Sequence, residues 1–244
     1  AINNKDEVVI FQVRPLVYNT KNNVNDSEIK KRIEESKQLF NKLSEKNNLV
    51  GEKNFFCDMP DWNPAEIIGD SPNILDYSLY DYIITDDVWH KARSSQGYFD
   101  VGSAKLVVLF GNKPYVNVRN SFNSFISNSL SKDLREKLIA FYLAKLEKNP
   151  ELQDKVEFDL LYTCYDFSFD SRSKELLDFG FTQDELNVFK KSLLDLTNNL
   201  ISNSKKEIED DLAEVRKLDR LRIEFSYNDK DDLQTLLNKV KMLL

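Results

Sequence analysis

The chain has 244 residues, of which 41% are hydrophobic and 31% charged, a composition typical of a soluble globular protein with enough apolar material for a core. Its net charge of −7 argues against nucleic acid as a partner, because binding to a phosphate backbone depends on clustered Lys and Arg. The sequence has no apolar run of about 20 residues and opens without a signal peptide, so it predicts a cytoplasmic protein with no membrane partner.

Two kinds of site are also disfavoured by composition. Cys57 and Cys164 are isolated thiols, and with one His they make a zinc site improbable, so we expect no metal site in this chain. With six Gly in all, the chain carries no glycine-rich P-loop and no Rossmann fingerprint.

The first elements are a strand and a helix. Residues 7–16 (EVVIFQVRPL) alternate and are β-branched, which predicts a strand ending at Pro15, and residues 17–26 are typical of a linker. Residues 27–46 predict an amphipathic helix. The short apolar run 54–57 predicts a strand that delivers Asp58 and Asp61 into a site.

Residues 58–125 are the densest in side chains typical of binding sites, since they contain both Trp residues and the only His. A helix is predicted to begin at Asn63, with Pro64 at its first position and Glu66 where a capping box places its carboxylate. Its free N–H groups would face whatever Asp61 and Trp62 line, and helix starts favour carboxylates or phosphates. Simple capping and burial in the core are the alternatives for these residues.

Two further helices are predicted before the next change of period. Ser71 and Pro72 would begin a helix whose apolar face holds Leu75, Leu79, Tyr82 and Ile83. Thr85 would cap another helix, which runs through Trp89, His90 and Arg93 and stops before Gly97.

A β-hairpin is predicted around Gly111-Asn112, with strands at residues 105–110 and 113–119. Pro114 would place the second strand at an edge or make it irregular. Alternation would put Tyr115, Asn117 and Arg119 on one face, which leads into the polar residues 120–124. We expect this face to be a ligand wall.

The second half predicts mostly helices. Residues 134–146 predict a helix ending before Asn149-Pro150, residues 156–164 a half-buried strand, and the TQDE capping box at Thr182 a helix to Leu200. Residues 204–221 predict a long exposed helix with a narrow apolar stripe, paired in a helical hairpin, and residues 233–240 a last helix. The predicted fold class is α+β: a small, mainly antiparallel sheet surrounded by helices, with a helical C-terminal section.

Several side chains could carry chemistry, each with a structural alternative. His90 could be a general base or a phosphate carrier, but no orienting partner is evident, so no catalytic residue is assigned. Arg93 and Arg119 could clamp a carboxylate or form ordinary ion pairs. Asp81, Asp86 and Asp87 could bind a metal, but a solvated helix face is commoner. The predicted substrate-binding residues are Asp61, Trp62, Asn63, Glu66, Arg93, Asn117, Arg119, Ser121 and Asn123.

Four segments of this sequence also carry a resemblance to a known family. They are DWNPAEIIG, SLYDYIITDDVWHKARSSQGYFD, PYVNVRNSFNSF and NPELQDKVEFDLLYTCYDF. They resemble the central region of the multidomain phosphoenolpyruvate synthase and pyruvate phosphate dikinase-like family, in particular the L-glutamine kinases of capsular phosphoramidate biosynthesis. The ending Q-x-R-P-L resembles the last strand of the family's ATP-grasp-like domain, which implies that Gln12 and Arg14 lie close to ATP.

The resemblance implies a phosphohistidine relay. An ATP-grasp-like domain, using ATP and Mg²⁺, would phosphorylate a His on a mobile domain, which would pass the phosphate to the side-chain amide of L-glutamine in the central domain. Residues 1–17 would then be the tail of the nucleotide-binding domain, 18–203 the acceptor-binding domain, and 204–244 a helical hairpin or linker. Both catalytic domains would be missing, and the isolated chain would bind acceptor without turnover.

Two other classes of function compete with this expectation. A noncatalytic interaction or scaffold module would expose a large apolar stripe within residues 204–244. A self-sufficient hydrolase or transferase would need Asp61, Glu66 or His90 to converge in one cleft.

Overall fold

The computed structural model of the chain describes residues 25–44, 49–58 and 60–224, together with residue 235. The predicted N-terminal strand, with Gln12 and Arg14, lies outside them, as does the predicted last helix apart from residue 235. Among the described residues, no helix has both the length and the apolar character needed to cross a membrane.

The chain divides into two compact units, residues 1–45 and 46–244. In the first unit, α1 (Asp26–Ser44) confirms the predicted amphipathic helix. Its first turn is acidic, and its side chains form i,i+4 ion pairs such as Arg32–Glu28 at 3.0 Å. Both features stabilise the helix through contacts within the helix itself. None of its residues is buried.

The second unit contains a three-stranded antiparallel sheet in the order β1-β3-β2. Its strands are β1 (Phe56–Cys57), β2 (Val107–Phe110) and β3 (Lys113–Asn117). The predicted hairpin is confirmed: Gly111 and Asn112 join β2 to β3 with φ of 57° and 72°. Positive φ at both turn residues matches the right-handed twist of the paired strands.

Pro114 lies in β3, which is the central strand, although the sequence predicts an edge. It is opposite Leu109 of β2. Among the residues that the structure describes, β1 pairs only with Val116 and Asn117, so no described strand lies on the other side of Pro114 to accept an N–H. The proline is therefore tolerated because β1 is only two residues long.

The predicted strand 113–119 is too long by two residues, because a helix begins at Val118. Asn117 ends β3, and its Oδ1 accepts a hydrogen bond from the N–H of Asn120 at 3.2 Å, which makes it the N-cap of α5 (Val118–Ser124). Every residue of α5 is buried. The strand alternation predicted for Arg119 is therefore wrong, since its direction is set by a helix.

Between β1 and β2 the chain forms α2 (Pro64–Ile68), α3 (Ile74–Tyr80), a π-helical turn (Asp81–Thr85) and α4 (Val88–Ser95). The cap of α3 is Asn73, whose Oδ1 accepts from the N–H of Asp76, rather than Ser71. Thr85 ends the π-helical turn instead of capping α4, which Asp87 precedes. The predicted apolar face is exposed rather than packed: Leu75, Leu79, Tyr82 and Ile83.

The C-terminal part is helical, as predicted. Ser131 caps α6 (Lys132–Lys148), and α7 (Phe169–Arg172), α8 (Lys174–Asp178) and α9 (Gln183–Glu224) follow. The largest core cluster joins α5, α6, α8 and α9 through buried side chains such as Phe122, Leu138, Leu176 and Phe189. The chain is thus α+β, with a small antiparallel sheet and helices around it.

Two predictions for this part are wrong. A π-helical turn (Val156–Leu160) replaces the start of the predicted strand 156–164, and a 3₁₀ turn (Pro150–Asp154) precedes it. Val156 and Leu160 are both fully buried. Residues four apart share one face of a helix and also one face of a strand, so the apolar pattern fits both structures. The predicted break between residues 200 and 204 is also absent, since α9 is continuous through it.

Candidate functional site

The most unusual backbone in the described part of the chain is the loop that enters α2. Asp61, Trp62 and Asn63 have φ of 45°, 53° and 20°, although none is a glycine. Such conformations cost about 1–3 kcal/mol each and persist where the surrounding structure holds them, often at functional sites. Asn63 does cap α2, accepting from the N–H of Glu66 at 3.3 Å, so the predicted helix start is confirmed.

A buried ion pair holds this loop in place. The Arg93 guanidinium donates from Nη1 to Oδ2 of Asp61 at 2.9 Å and from Nη2 to Oδ1 at 2.5 Å, with the side chains 11% and 2% exposed. Ser121 donates to Oδ2 of Asp61 at 2.6 Å, and Nη1 of Arg93 also donates to Ser124 at 2.6 Å. The network joins the loop to α4 and α5.

Aromatic groups surround the same guanidinium. The Arg93 Cζ lies 3.8 Å from the ring centroid of Phe125 and 5.5 Å from that of Trp89. A cation over aromatic faces is attracted by their quadrupoles, so these rings fix the direction of Arg93. Trp89 is buried, as the structural alternative predicts, and donates to the carbonyl of Asp86 at 2.9 Å.

Tyr80 supports the loop from the other side. Its hydroxyl donates to the carbonyl of Trp62 at 2.8 Å. Burial raises the pKa of Tyr80 well above its usual value, and the negative charge of Asp61 raises it further. Tyr80 therefore stays a neutral donor, and the Trp62 carbonyl is held while the indole is 49% exposed.

The loop and α4 border a cleft of about 400 Å³. Its floor is apolar, and Arg93 and Gln96 supply the polar groups, with Trp62 at one side. A second groove of about 390 Å³ shares Ile83 and Ile84 with it. The first cleft combines aromatic, apolar and polar lining; its residues are Trp62, Ile83, Ile84, Val88, Trp89, Ala92, Arg93 and Gln96.

Four of the predicted site residues are thus brought together: Asp61, Trp62, Arg93 and Ser121. Trp62 and Arg93 line the cleft directly. Asp61 and Ser121 do not line the cleft, but their hydrogen bonds hold Arg93 and the loop in position. The capping alternative accounts for Asn63, and the Glu66 side chain is exposed on α2.

The predicted ligand wall is not formed, because Asn117, Arg119 and Asn123 are buried and bonded to the main chain. Asn123 donates to the carbonyl of Val50 at 2.9 Å and accepts from its N–H at 3.3 Å. Arg119 donates to the carbonyl of Gly51 at 3.4 Å, and burial lowers the pKa of its guanidinium. With Asn117 at the cap of α5, these side chains hold the segment around residues 50–51 and the helix start.

His90 has the orienting partner that the sequence did not reveal. Its Nδ1 lies 3.0 Å from Oδ1 of Asp100, and its Nε2 lies 3.7 Å from Oδ1 of Asp87. The ring is buried, and His90 is not among the residues that line the cleft. This arrangement does not bring His90 into the site of Asp61 and Arg93.

The acidic group at residues 81–87 forms ion pairs instead of a metal site. Lys105 bonds both Asp81 and Asp86, and Lys91 donates to Asp87 at 2.7 Å. Within the described ranges, no group of three or more His, Cys, Asp or Glu side chains could hold a metal ion.

Sequence reasoning missed Gln96, and it placed Ser124 only in the polar run 120–124 that follows the predicted ligand wall. Spacing could have found them, since Trp89, Arg93 and Gln96 recur at i, i+4 and i+7 and so share one face of α4. Ser121 and Ser124 likewise lie one turn apart on α5. Polar residues on a buried helix face are the indication of an internal network.

Comparison of the chain with known proteins found no matching family model, no matching curated protein and no matching solved structure. Its function is therefore inferred from its own residues and from the geometry around Asp61 and Arg93.

Proposed function

We propose that residues 46–203 form the acceptor-binding domain of an ATP-dependent phosphotransferase that works through a phosphohistidine relay. The acceptor is a small amino acid, and L-glutamine, phosphorylated on its side-chain amide for capsular phosphoramidate synthesis, is our first candidate. One observation carries the proposal: a strained loop, fixed by the Asp61–Arg93 pair, presents Trp62 beside a cleft. ATP, Mg²⁺ and the phosphorylated His are assigned to the other domains of the relay.

The cleft has the composition of a small-molecule site. Such sites are mostly apolar, with a few convergent polar groups that fix orientation. Here Gln96 offers an amide that pairs with a ligand amide, and the half-exposed Trp62 offers a flat face for it. Arg93 uses three of its five N–H donors on Asp61 and Ser124, and its charge favours a carboxylate nearby.

The same lining supports a binding role rather than complete chemistry. The described residues that line the cleft include no Ser, Cys, Lys or His that could act as nucleophile or general base. Asp61, the nearest carboxylate, is engaged by Arg93 and Ser121. The phosphate therefore comes from another domain in this proposal, and the chain alone is expected to release no phosphate from ATP.

The test is calorimetric binding of L-glutamine, compared with L-glutamate, L-asparagine and pyruvate. Trp62→Ala removes the flat face of the cleft and should weaken L-glutamine binding about two- to tenfold, since such contacts contribute about 0.5–1.5 kcal/mol. Phe167→Ala is the matched control, because this aromatic side chain is fully exposed and does not line the cleft.

Selective binding of L-glutamine that Trp62→Ala weakens and Phe167→Ala leaves unchanged would support the proposal. Binding of all four compounds alike, or of none to the folded chain, would contradict it. A phosphate release assay with ATP belongs beside the calorimetry, since turnover by the chain alone would favour a self-sufficient enzyme.

A noncatalytic interaction module is the second candidate. It is favoured by the apolar side chains exposed along α9, at positions 201, 208, 212, 215 and 218. A module of this kind would need no ligand in the cleft, so failure of the binding experiment would leave it as the better account.

A further inference from the structure

No described residue covers the side chains that the structure describes in the distal part of α9. From residue 201 to residue 220, every side chain that the structure describes is exposed. Ile201, Ile208, Leu212, Val215 and Leu218 nevertheless form an apolar stripe, and they are 48–67% exposed. Most helical stability comes from packing an apolar face, so this stripe is suited to a partner.

The charges beside the stripe are divided into two blocks. Residues 209–214 contain four acidic side chains, and residues 216–220 contain three basic side chains and one acidic one. Two such helices in parallel would place acidic block beside acidic block. An antiparallel pair places each acidic block beside the basic block of the other helix, which is the favourable arrangement.

The apolar stripe selects the same arrangement. An antiparallel register that sets Leu212 opposite Val215 sets Ile208 opposite Asp219, one residue from Leu218. In that register Glu209 and Arg216 of the other helix are offset by two residues, about 3 Å along the helix axis, which their long side chains can span. These two residues are seven apart, two turns of helix, so they lie on the same flank of the stripe. In an antiparallel pair each flank faces itself, which gives two symmetric Glu209–Arg216 pairs.

We propose that residues 207–220 of α9 form a two-fold antiparallel helix pair with a second copy of this chain. The stripe packs in the centre, and a Glu209–Arg216 pair flanks it at each end. This inference does not rest on the proposed acceptor function, because no residue of the cleft lies on this part of α9.

The first test is the mass of the whole chain in solution, measured by sedimentation equilibrium. At about 100 μM an interface with a micromolar dissociation constant is almost fully occupied, so the wild type should have twice the monomer mass. Leu212→Glu should return it to the monomer. Lys206→Glu is the control, since Lys206 lies on the opposite face of the helix and its reversal should leave the dimer intact.

Charge reversal tests the orientation. Glu209→Lys alone and Arg216→Glu alone each set like charges against one another twice, and each should raise the dissociation constant about tenfold. The double variant Glu209→Lys/Arg216→Glu restores both pairs and should restore the dimer. An equimolar mixture of the two single variants should form a heterodimer.

Circular dichroism of each variant checks that α9 stays helical. A fall in mass from dimer to monomer then reports a loss of association and not unfolding of the helix. A monomeric wild type at this concentration would overturn the proposal, and the stripe would then be covered by another segment or protein. A dimer that Glu209→Lys weakens and Arg216→Glu does not rescue would also overturn it, because the antiparallel register requires that rescue.

Discussion

Asp61 is the residue on which the candidate site depends most. Its carboxylate is buried and accepts hydrogen bonds from Arg93 and Ser121. Removing one partner of a buried ion pair leaves an uncompensated charge and typically costs about 3–5 kcal/mol. Asp61→Ala should therefore lower the free energy of unfolding by this amount in urea denaturation.

The control for this prediction is Asp58→Ala. Asp58 accepts from Lys113 at 2.6 Å, but both side chains are about one-third exposed. An exposed pair contributes about 0–1 kcal/mol, so this change should have a small effect. Equal losses for the two variants would show that Asp61 and Arg93 are not buried as a pair.

The cysteines give a prediction about reactivity. Burial raises the pKa of the Cys57 thiol to about 11, with the charge of Asp58 adding to the effect, whereas Cys164 is exposed. The thiolate is the reactive form, so a thiol reagent at about pH 8 should modify Cys164 quickly and Cys57 slowly. Cys164→Ser should remove the fast phase of absorbance change. A fast phase that persists in this variant would contradict the burial of Cys57.

At the scale of single residues, the sequence predicts capping well and strain poorly. Asn63 and Pro64 announce a helix start because their side chains suit the backbone there. The identities of Asp61 and Trp62 do not predict their positive φ, because glycine is the residue that usually adopts this conformation. Their conformation is imposed by Arg93, which is 32 residues away in sequence from Asp61.

At the scale of elements, the capping box of α9 predicts a dependence on pH. Thr182 accepts from the N–H of Glu185 at 3.2 Å, and Glu185 accepts from the N–H of Thr182 at 2.7 Å. The hydrogen bond from Lys137, followed by that of the Thr182 N–H, lowers the pKa of Glu185. The ionised form is therefore favoured in the folded state.

Glu185→Gln keeps the shape of the capping box and removes its charge. Because the folded pKa of Glu185 is depressed, its stabilisation is present above the unfolded pKa and is lost as the pH falls through the folded value. The variant should be about 0.5–1 kcal/mol less stable than the wild type at neutral pH, and the difference should disappear as the pH falls through the folded pKa of Glu185, which lies below its usual value. Thermal unfolding across this range measures the difference. A difference that stays constant with pH would contradict the assignment.

The sequence predicts those elements whose local pattern and tertiary packing agree. The hairpin at Gly111-Asn112 and the helix α6 have turn or cap residues that suit one structure only. Residues 156–160 fail, because five residues with apolar ends fit a strand and a helical turn equally well. The direction of Arg119 is predicted wrongly for a related reason. β3 ends at Asn117 and α5 follows it, so every side chain after that point has a different direction from the one it would have in a strand.

At the scale of the whole molecule, apolar residues divide between a packed core and exposed surfaces. The clusters that join the helices and the sheet are fully buried, as at Leu106, Val116 and Leu138. Ile74 and Tyr82 are exposed on α3 and the turn after it. An amphipathic pattern indicates which residues share a face, but the packed and exposed faces of this chain have the same pattern. Which apolar faces are packed and which are exposed can therefore be read only from the structure.

The same division predicts that the distal part of α9, residues 201–220, contributes little to the stability of the described core. Leu196 is the last buried residue among the side chains that the structure describes in α9, and Leu212 is 48% exposed. The melting temperature of Leu212→Ala at low protein concentration, where association contributes little, should stay within about 2–4 °C of the wild type. Leu193→Ala, which removes a buried side chain of α9, should instead cost about 2–5 kcal/mol and lower the melting temperature clearly. If Leu212→Ala were as destabilising as Leu193→Ala, Leu212 would have to be packed in the monomer, contrary to its exposure.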